Sequence, residues 1–376
     1  MITRFIIITY ASLFLPVFGV YGFAKSASND QERLGSIFQT IAHQEVVDIS
    51  IHADLAQLID NRRSEAYLDA TFTHYDAQGA KINYDVKVQT RGKFRRRVCD
   101  FPPIKLKFAK KNLDAAGLAR DFNDLKLVTH CLDDREAGNE NVLKEYLIYK
   151  LYNQLNPNSL RAQLVRVTYV DTQGKIGKTK RYGILLENTD EMAARLGGSE
   201  YEVMNVAPDS ISKTDEMTTA LFQYMIANAD WDLRMLRNVK LVLHAGTGKV
   251  IPVPYDFDFA GLVNTSYALP QTDKGLYSIR DRLYLGNSFE QTSMRHTLAY
   301  FMTQKEHLLH TIKQMKLLSA ASRTDMMRYV ESFYNSIEPA YANTDIDLTA
   351  FFSLKNASVE ALYEQQMYGL QAKGRK

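Results

Sequence analysis

The period of the hydrophobic pattern changes along this chain, and that change limits the folds available to it. Up to about residue 187, most ordered segments alternate apolar and polar residues, as strands with one buried face do. From Gln291 onward, apolar residues recur at helical spacing instead. A chain of 376 residues can bury a large core. The pattern predicts an α+β protein of two lobes, sheet-rich over 29–187 and helix-rich over 188–376.

Strand patterns and turn signals fill the first part of the chain. Turn signals such as Asp76-Ala77-Gln78-Gly79 separate successive strands, which is typical of hairpins, so a mostly antiparallel sheet is expected. An apolar stripe predicts a helix over 141–155, and a second helix is expected from Thr214 or Asp215 to Ala227. A later hairpin is predicted over 240–253. The strand segments before it are 46–51, 66–74, 81–89, 104–108, 125–128, 164–170 and 181–186.

The N-terminus has the layout of a secretory signal peptide. One basic residue, Arg4, precedes an uncharged and mostly apolar run over 5–24, and small residues follow it. Pro16 and Gly19 make this run a poor membrane-spanning helix, so a cleaved signal over 1–28 is favoured over a retained single anchor. The chain is therefore expected to be exported, either to a periplasm or out of the cell.

The two cysteines, Cys99 and Cys131, suit an exported protein. An even number of cysteines favours a disulfide over the alternative of two buried free thiols. Neither the cysteines nor the eight histidines have the spacing of zinc ligands. The net charge of +3 gives no support to general nucleic-acid binding.

Two segments near the middle of the chain set carboxylates and amides among large apolar residues. The first contains Asn228, Asp230, Asp232 and Asn238, and it lies between a predicted helix and a predicted strand. A loop in that position can aim several oxygen ligands into one cleft. The alternative is a set of Asx turns and helix caps.

The second segment, 254–261, alternates two acids with aromatic residues. A period of two places Asp256 and Asp258 on one face. Neighbouring carboxylates repel unless a cation lies between them or one is protonated. Magnesium is bound by one or two carboxylates plus phosphate oxygens, so the pair suits a metal–nucleotide site. The alternative is an edge strand whose acids face water.

The order Asn-x-Asp, Asn, strand, Tyr-Asp-x-Asp resembles that of the spore-coat protein H (CotH) kinase family and, more distantly, of HipA-type kinases. The resemblance covers roughly residues 85–262. It implies a two-lobed protein-kinase-like fold, with an antiparallel-sheet N-lobe and a mainly helical C-lobe. It also implies that Asp230 is the catalytic residue, that Asn238 and Asp256 bind the metal, and that Asp258 is a secondary ligand or supports one.

The same resemblance implies a nucleotide site. Arg91-Gly92 is similar to the family's Arg-Gly, so Lys105 or Lys107 on the next strand would bind phosphates. Glu145, on the first predicted helix, is a candidate ion-pair partner, and Glu187 would lie near the adenine. The basic run after Arg91 is expected either to clamp phosphates or to form a charged tip in water.

These expectations describe an exported kinase that transfers phosphate from Mg²⁺-ATP to a hydroxyl of a protein or small molecule. One alternative is an inactive kinase-fold protein for binding or envelope assembly. Another is a metal-dependent hydrolase that uses the same acids without nucleotide. A membrane is an expected partner only if the N-terminal segment is retained.

Overall fold

Seven strands form a closed barrel in the computed structural model, which describes residues 35–353. They are β1 (Val46–Ala53), β2 (Leu68–Tyr75), β3 (Lys81–Thr90), β4 (Ile104–Phe108), β5 (Asp124–Val128), β6 (Ala162–Asp171) and β7 (Thr179–Leu186). Neighbours around the barrel follow the order β1-β2-β3-β4-β5-β7-β6, and β6 returns to β1.

Closure of the barrel depends on one parallel pair. β1 and β6 run in parallel, from Val46 opposite Leu164 to Ala53 opposite Asp171. The remaining neighbours around the ring are antiparallel. A closed ring with an odd number of strands cannot alternate in direction all the way round, so it needs at least one parallel pair.

This closure shows that the predicted two-lobed protein-kinase-like fold is wrong. The structure has a closed mixed barrel with helices in place of an antiparallel-sheet lobe and a helical lobe. The predicted strand segments all overlap barrel strands, so the error lies in how the strands pair. Turn signals report pairing between neighbours in the chain, whereas β1 and β6 meet because both bury alternate residues in the barrel interior, among them Ile49, Ile51, Val165 and Val167.

Helices surround the barrel and a second, smaller sheet. The α-helices of residues 35–353 are α1 (Ile37–Ile41), α2 (Leu55–Asp60), α3 (Arg95–Val98), α4 (Lys110–Ala115), α5 (Arg135–Leu155), α6 (Thr189–Arg195), α7 (Lys213–Met225), α8 (Gln291–Gln314) and α9 (Ala320–Ala342). The second sheet contains β8 (Gly198–Glu200), β9 (Val239–His244) and β10 (Val250–Pro254) in the order β10-β9-β8. The predicted hairpin over 240–253 is therefore confirmed.

The longest helices share a second core with the small sheet. The stripe of α5 that includes Leu143, Leu147 and Leu151 is buried there, with the inner faces of α7, α8 and α9. α5 begins earlier than predicted, because the Asp134 side chain caps it by accepting a hydrogen bond from the Ala137 amide at 2.7 Å. This core fixes the ends of α7, β9 and β10, from which the candidate site is built.

Cys99 and Cys131 form the predicted disulfide, with their Cα atoms 4.5 Å apart. Both residues are buried. The bond closes a loop that contains β4 and β5, and it joins that loop to the end of α3. It therefore fixes the strands and the short helix that carry most of the basic side chains of the site.

Removing this disulfide should destabilise the protein. The cysteines are separated by 32 residues, and a closed loop of that length is worth about 3–4 kcal/mol through restriction of the unfolded chain. The free energy of unfolding of the double variant Cys99→Ala/Cys131→Ala should be lower by that amount, so the variant should unfold at a lower denaturant concentration. Reductant should lower the unfolding midpoint of the parent but not that of the variant. Equal unfolding midpoints for parent and variant would contradict the prediction.

Every helix within residues 35–353 falls short of the length or apolar character that a membrane crossing requires. The predicted signal peptide or anchor, residues 1–28, lies outside the described residues.

Candidate functional site

The hairpin of β9 and β10 brings two of the predicted site residues together. Asn238 precedes β9, and Asp256 follows β10 by two positions, while the strand ends Val239 and Pro254 lie opposite each other. The Tyr255 amide donates a hydrogen bond to the Asn238 carbonyl at 3.1 Å. The antiparallel pairing thus places the amide and the carboxylate on the same end of the small sheet.

Asp230 joins this group from the loop after α7. Its amide donates to Asn228 Oδ1 at 3.0 Å, and its Oδ2 accepts a hydrogen bond from Asn238 Nδ2 at 3.0 Å. Burial raises the pKa of Asp230, and Arg237, whose Nη1 lies 3.7 Å from Oδ1, partly offsets that rise. We call Asp230, Asn238 and Asp256 the acidic cluster. Asn228 serves as the Asx turn that orients Asp230.

The backbone of this region is held in an uncommon conformation. Ala227, Asn238 and Asp256 have φ angles of 52°, 50° and 62°, in the left-handed region that non-glycine residues rarely adopt. Each such residue costs about 1–3 kcal/mol unless its surroundings compel it. At Asp256 the constraint is visible, because its amide donates to the buried Tyr149 hydroxyl at 2.9 Å. Strain at three positions in and next to the acidic cluster is typical of a functional site.

The loop after Asp258 is locked to the end of α7 by a close backbone contact. The Gly261 amide donates to the Ala227 carbonyl at 2.9 Å. A Cβ atom on Gly261 would lie 2.5 Å from the Ile279 carbonyl oxygen and 2.9 Å from the Ala227 Cβ. Only glycine fits between Ile279 and Ala227 at this position. The close contact holds the loop after Asp258 against the loop that carries Asp230.

Arg95 lies at the centre of the acidic residues as a buried cation. Its Nε donates to Asp258 at 2.8 Å, and its Nη2 donates to Asp256 at 2.9 Å and to Glu145 at 3.0 and 3.1 Å. Arg95 is 6% exposed. Burial opposes its charge, yet the three carboxylates raise the pKa of Arg95 well above its usual value. Glu145 thus pairs with an arginine of the basic run and not with a strand lysine.

One guanidinium does not neutralise three carboxylates. Burial raises the pKa of Glu145 to about 8, and its like-charged neighbours add to the rise while Arg95 opposes it. Burial also raises the pKa of Asp258, which accepts a hydrogen bond from Tyr267. Buried carboxyl groups favour their neutral form unless positive charge compensates them, and here one guanidinium serves Glu145, Asp256 and Asp258.

Asp256 and Asp258 have different surroundings despite sharing a motif. The side chain of Asp258 is 5% exposed and held by Arg95, whereas that of Asp256 is 32% exposed. Among the described residues, none donates a hydrogen bond to Asp256 Oδ2 or to Asn238 Oδ1. Both are hard oxygen atoms of the kind that Mg²⁺ binds, and Mg²⁺ takes few protein ligands and completes its shell with phosphate and water.

No group of three His, Cys, Asp or Glu side chains within residues 35–353 is arranged to hold a metal by itself.

A basic cluster lies beside the acidic one and draws side chains from both the barrel and the small sheet. We give this name to Arg91, Lys105, Lys126 and Lys240. Lys105 and Lys126 lie opposite each other on β4 and β5. Lys105 is paired with Asp124 at 2.9 Å, and Lys240 is paired with Glu200.

Lys126 and Arg91 are the cations of this cluster that have no carboxylate partner among the described residues, and Lys126 is the one beside the acidic motif. Its Nζ lies 6.0 Å from the centre of the Tyr255 ring, next to Asp256 in the chain. Burial lowers the pKa of Lys126 to about 8, and the positive charges of Arg91 and Lys240 lower it further in the same direction. A partly buried, unpaired ammonium group beside an acidic cluster is suited to an anionic ligand.

Two other predicted site residues, Glu187 and Lys107, belong to neither the acidic nor the basic cluster. Glu187 is fully buried and bound by Arg195 through two contacts of 2.8 and 2.7 Å. Lys107 is exposed, with its Nζ 5.8 Å from the centre of the Tyr67 ring. Of the two lysines proposed from the sequence, Lys105 therefore lies in the basic cluster and Lys107 lies outside it.

Sequence reasoning missed Lys126 and Arg95. Lys126 lies on a short strand whose only local signal is alternation, and the antiparallel pairing with Lys105 across β4 and β5 could have indicated it. Arg95 belongs to a run of basic residues that reads as solvent-exposed. Nothing in the sequence distinguishes it from Arg96 and Arg97.

Neither the scan against protein-family models nor the search of curated proteins finds a match for this chain.

Proposed function

We propose that this protein is a magnesium-dependent phosphotransferase that moves a phosphoryl group from ATP to a hydroxyl acceptor. The observation that supports it most is that the acidic cluster and the unpaired Lys126 meet at Tyr255. A ligand that satisfies both must carry negative charge and also bind a cation. A nucleoside triphosphate with Mg²⁺ has that combination.

The basic cluster provides phosphate binding. Lys126 and Arg91 have no carboxylate partner in the described part of the chain, so both can contact phosphate without breaking an ion pair. Lys105 and Lys240 add positive charge while remaining paired. Since phosphoryl transfer depends on positioning and charge neutralisation, this cluster would hold the transferred group in place.

Asn238 and Asp256 would hold the magnesium ion through the two oxygen atoms that no described residue occupies. The ion would neutralise charge on the phosphate oxygens. Asp258 and Glu145 support this arrangement indirectly, because they fix Arg95, which in turn holds Asp256 at 2.9 Å.

Asp230 would act on the acceptor. Its carboxylate would take the proton of the acceptor hydroxyl as that oxygen forms its bond to the terminal phosphorus. The bond from this phosphorus to the bridging oxygen breaks, and ADP leaves with that oxygen. Burial raises the pKa of Asp230, which makes it a better proton acceptor than an exposed aspartate.

The metal-dependent hydrolase is less well supported, since it leaves the basic cluster without a role. We also propose that the protein acts after export. The buried disulfide between Cys99 and Cys131 is compatible with an oxidising compartment.

Changing Lys126 to Met should weaken the binding of ATP with Mg²⁺. A hydrogen bond to a charged group is worth about 1.5–3 kcal/mol, so the affinity should fall roughly 10–100-fold in calorimetry. Lys107→Met is the matched control, because Lys107 lies on the same barrel face but outside the basic cluster. Its affinity should match that of the parent.

The pH dependence gives a second readout of the same contact. Lys126 is charged below its pKa of about 8, so the affinity of the parent should decline as the pH rises through that value. Lys126→Arg should remove the decline, since arginine stays charged. The proposal of a nucleotide site fails if the parent shows no saturable binding of ATP with Mg²⁺.

A further inference from the structure

Lysines form a ladder across three neighbouring strands of the barrel. Lys87 lies opposite Lys107 on β3 and β4, and Lys105 lies opposite Lys126 on β4 and β5. All four point outward, because the residues that alternate with them are buried in the barrel core. Like charges directly opposite one another on a sheet are destabilising. Two adjacent pairs of this kind indicate that the face is built to meet negative charge.

The described carboxylates neutralise only part of this ladder. Lys87 is paired with Asp69 at 2.9 Å, and Lys105 is paired with Asp124 at 2.9 Å. Lys126 belongs to the candidate active site. Lys107 remains without a carboxylate partner among the described residues and lies over the Tyr67 ring, an arrangement like that of Lys126 over Tyr255.

Lys107 lines a groove of about 940 Å³ on the outer face of the barrel. Four lysines line this groove against two aspartates, so its charge is positive. These residues are Lys87, Lys107, Lys110, Lys111, Asp69 and Asp85. The Asp69 side chain is largely exposed, so its pairing with Lys87 is readily exchanged for another anion.

The groove also has apolar walls. Tyr67, Ala70 and Ala109 line it together with the lysines. A polymer that carries only phosphate would use the lysines and leave these walls in contact with water. A polypeptide segment in which acidic and apolar side chains alternate would fill both, because successive side chains of an extended chain point to opposite sides.

We propose that this groove binds an extended acidic segment of a polypeptide. Its role would be to dock a protein acceptor whose hydroxyl then reaches Asp230, and that role rests on the proposed phosphotransfer. The binding itself does not depend on nucleotide. Lys105, two positions from Lys107 on β4, connects the groove to the basic cluster along a single strand.

The probe is a fluorescein-labelled twelve-residue peptide in which glutamate alternates with leucine and alanine. Its binding is measured by fluorescence anisotropy in the absence of nucleotide. The parent should bind it saturably, and the affinity should fall at least about tenfold in Lys107→Glu/Lys111→Glu, as loss of two charge contacts implies. Tyr67→Ala should weaken binding with no change of charge. Lys81→Glu/Lys178→Glu is the control, since both lysines are exposed on the barrel but lie outside the groove.

Each outcome decides the proposal. It is overturned if the parent does not bind the peptide, if the control variant loses as much affinity as the groove variant, or if inorganic polyphosphate binds more tightly than the peptide. In the last case the face is a polyanion site. Because no nucleotide is present, a failure here leaves the phosphotransferase proposal standing, and a failure of ATP binding leaves the groove intact.

Discussion

Asp230→Asn should reduce phosphoryl transfer by about 10²–10⁴-fold, the usual contribution of a positioned general base. The substitution keeps the shape of the side chain but removes its ability to take the acceptor proton. Binding of ATP should stay within about twofold of the parent, since affinity for the phosphates comes from Lys126 and Arg91. The measurement is the transfer of labelled phosphate from ATP, with Mg²⁺, to the protein itself or to co-exported proteins.

Asp232→Asn is the matched control for this experiment. Asp232 lies two residues away, and its Oδ1 accepts hydrogen bonds from the amides of Arg234 and Met235 at 2.8 and 2.9 Å. It shapes a turn and should change transfer little. Transfer at the parental rate in Asp230→Asn would exclude Asp230 as the base. A parent that binds ATP but never transfers phosphate would instead be a binding protein, and activity without nucleotide would favour the hydrolase.

Arg95→Met should destabilise the protein by about 3–5 kcal/mol, the range found when one partner of a buried ion pair is removed. Methionine fills much of the volume but leaves Glu145, Asp256 and Asp258 without their shared cation. The loss should be largest at high pH. Without Arg95 the carboxyl groups take up protons more readily when folded than when unfolded, so stability falls as the pH rises and recovers on acidification.

Chemical unfolding at several pH values measures this effect. Arg97→Met is the control, because Arg97 is exposed and its Nε donates only to the Lys93 carbonyl in the same loop. The triple variant Arg95→Met/Asp258→Asn/Glu145→Gln should recover part of the lost stability by removing the unpaired charges. An Arg95→Met protein as stable as Arg97→Met would show that the buried cation is not required.

Local features of the fold could be predicted from the sequence, and long-range ones could not. The barrel strands, the hairpin of β9 and β10 and the disulfide all have local or compositional signals, and the structure contains them. The parallel closure between β1 and β6 has none, so the fold class was predicted wrongly. A period of two says which side chains share a face but not which strand lies next to them.

The candidate site divides in the same way. The convergence of Asn238 and Asp256 follows from a hairpin, which is a local structure. The partner of Glu145 could not be predicted, because Arg95 reaches it across 50 residues of chain from a short helix that has no amphipathic pattern. Lys126 depends on pairing between β4 and β5. Contacts set by tertiary structure decide which charged residues are buried, and burial decides which of them have shifted pKa values.

The parallel pairing of β1 with β6 has a consequence for the order of folding. Its paired residues Asp48 and Arg166 are 118 positions apart, so the edge of β1 stays open until most of the barrel has been synthesised. Closing so long a loop carries a large entropic barrier, and proteins rich in such contacts fold slowly. An open strand edge is also a template for pairing with another chain. Until β6 is available, β1 to β5 can pair only as an open sheet, and the free edge of β1 remains a site at which another chain can add.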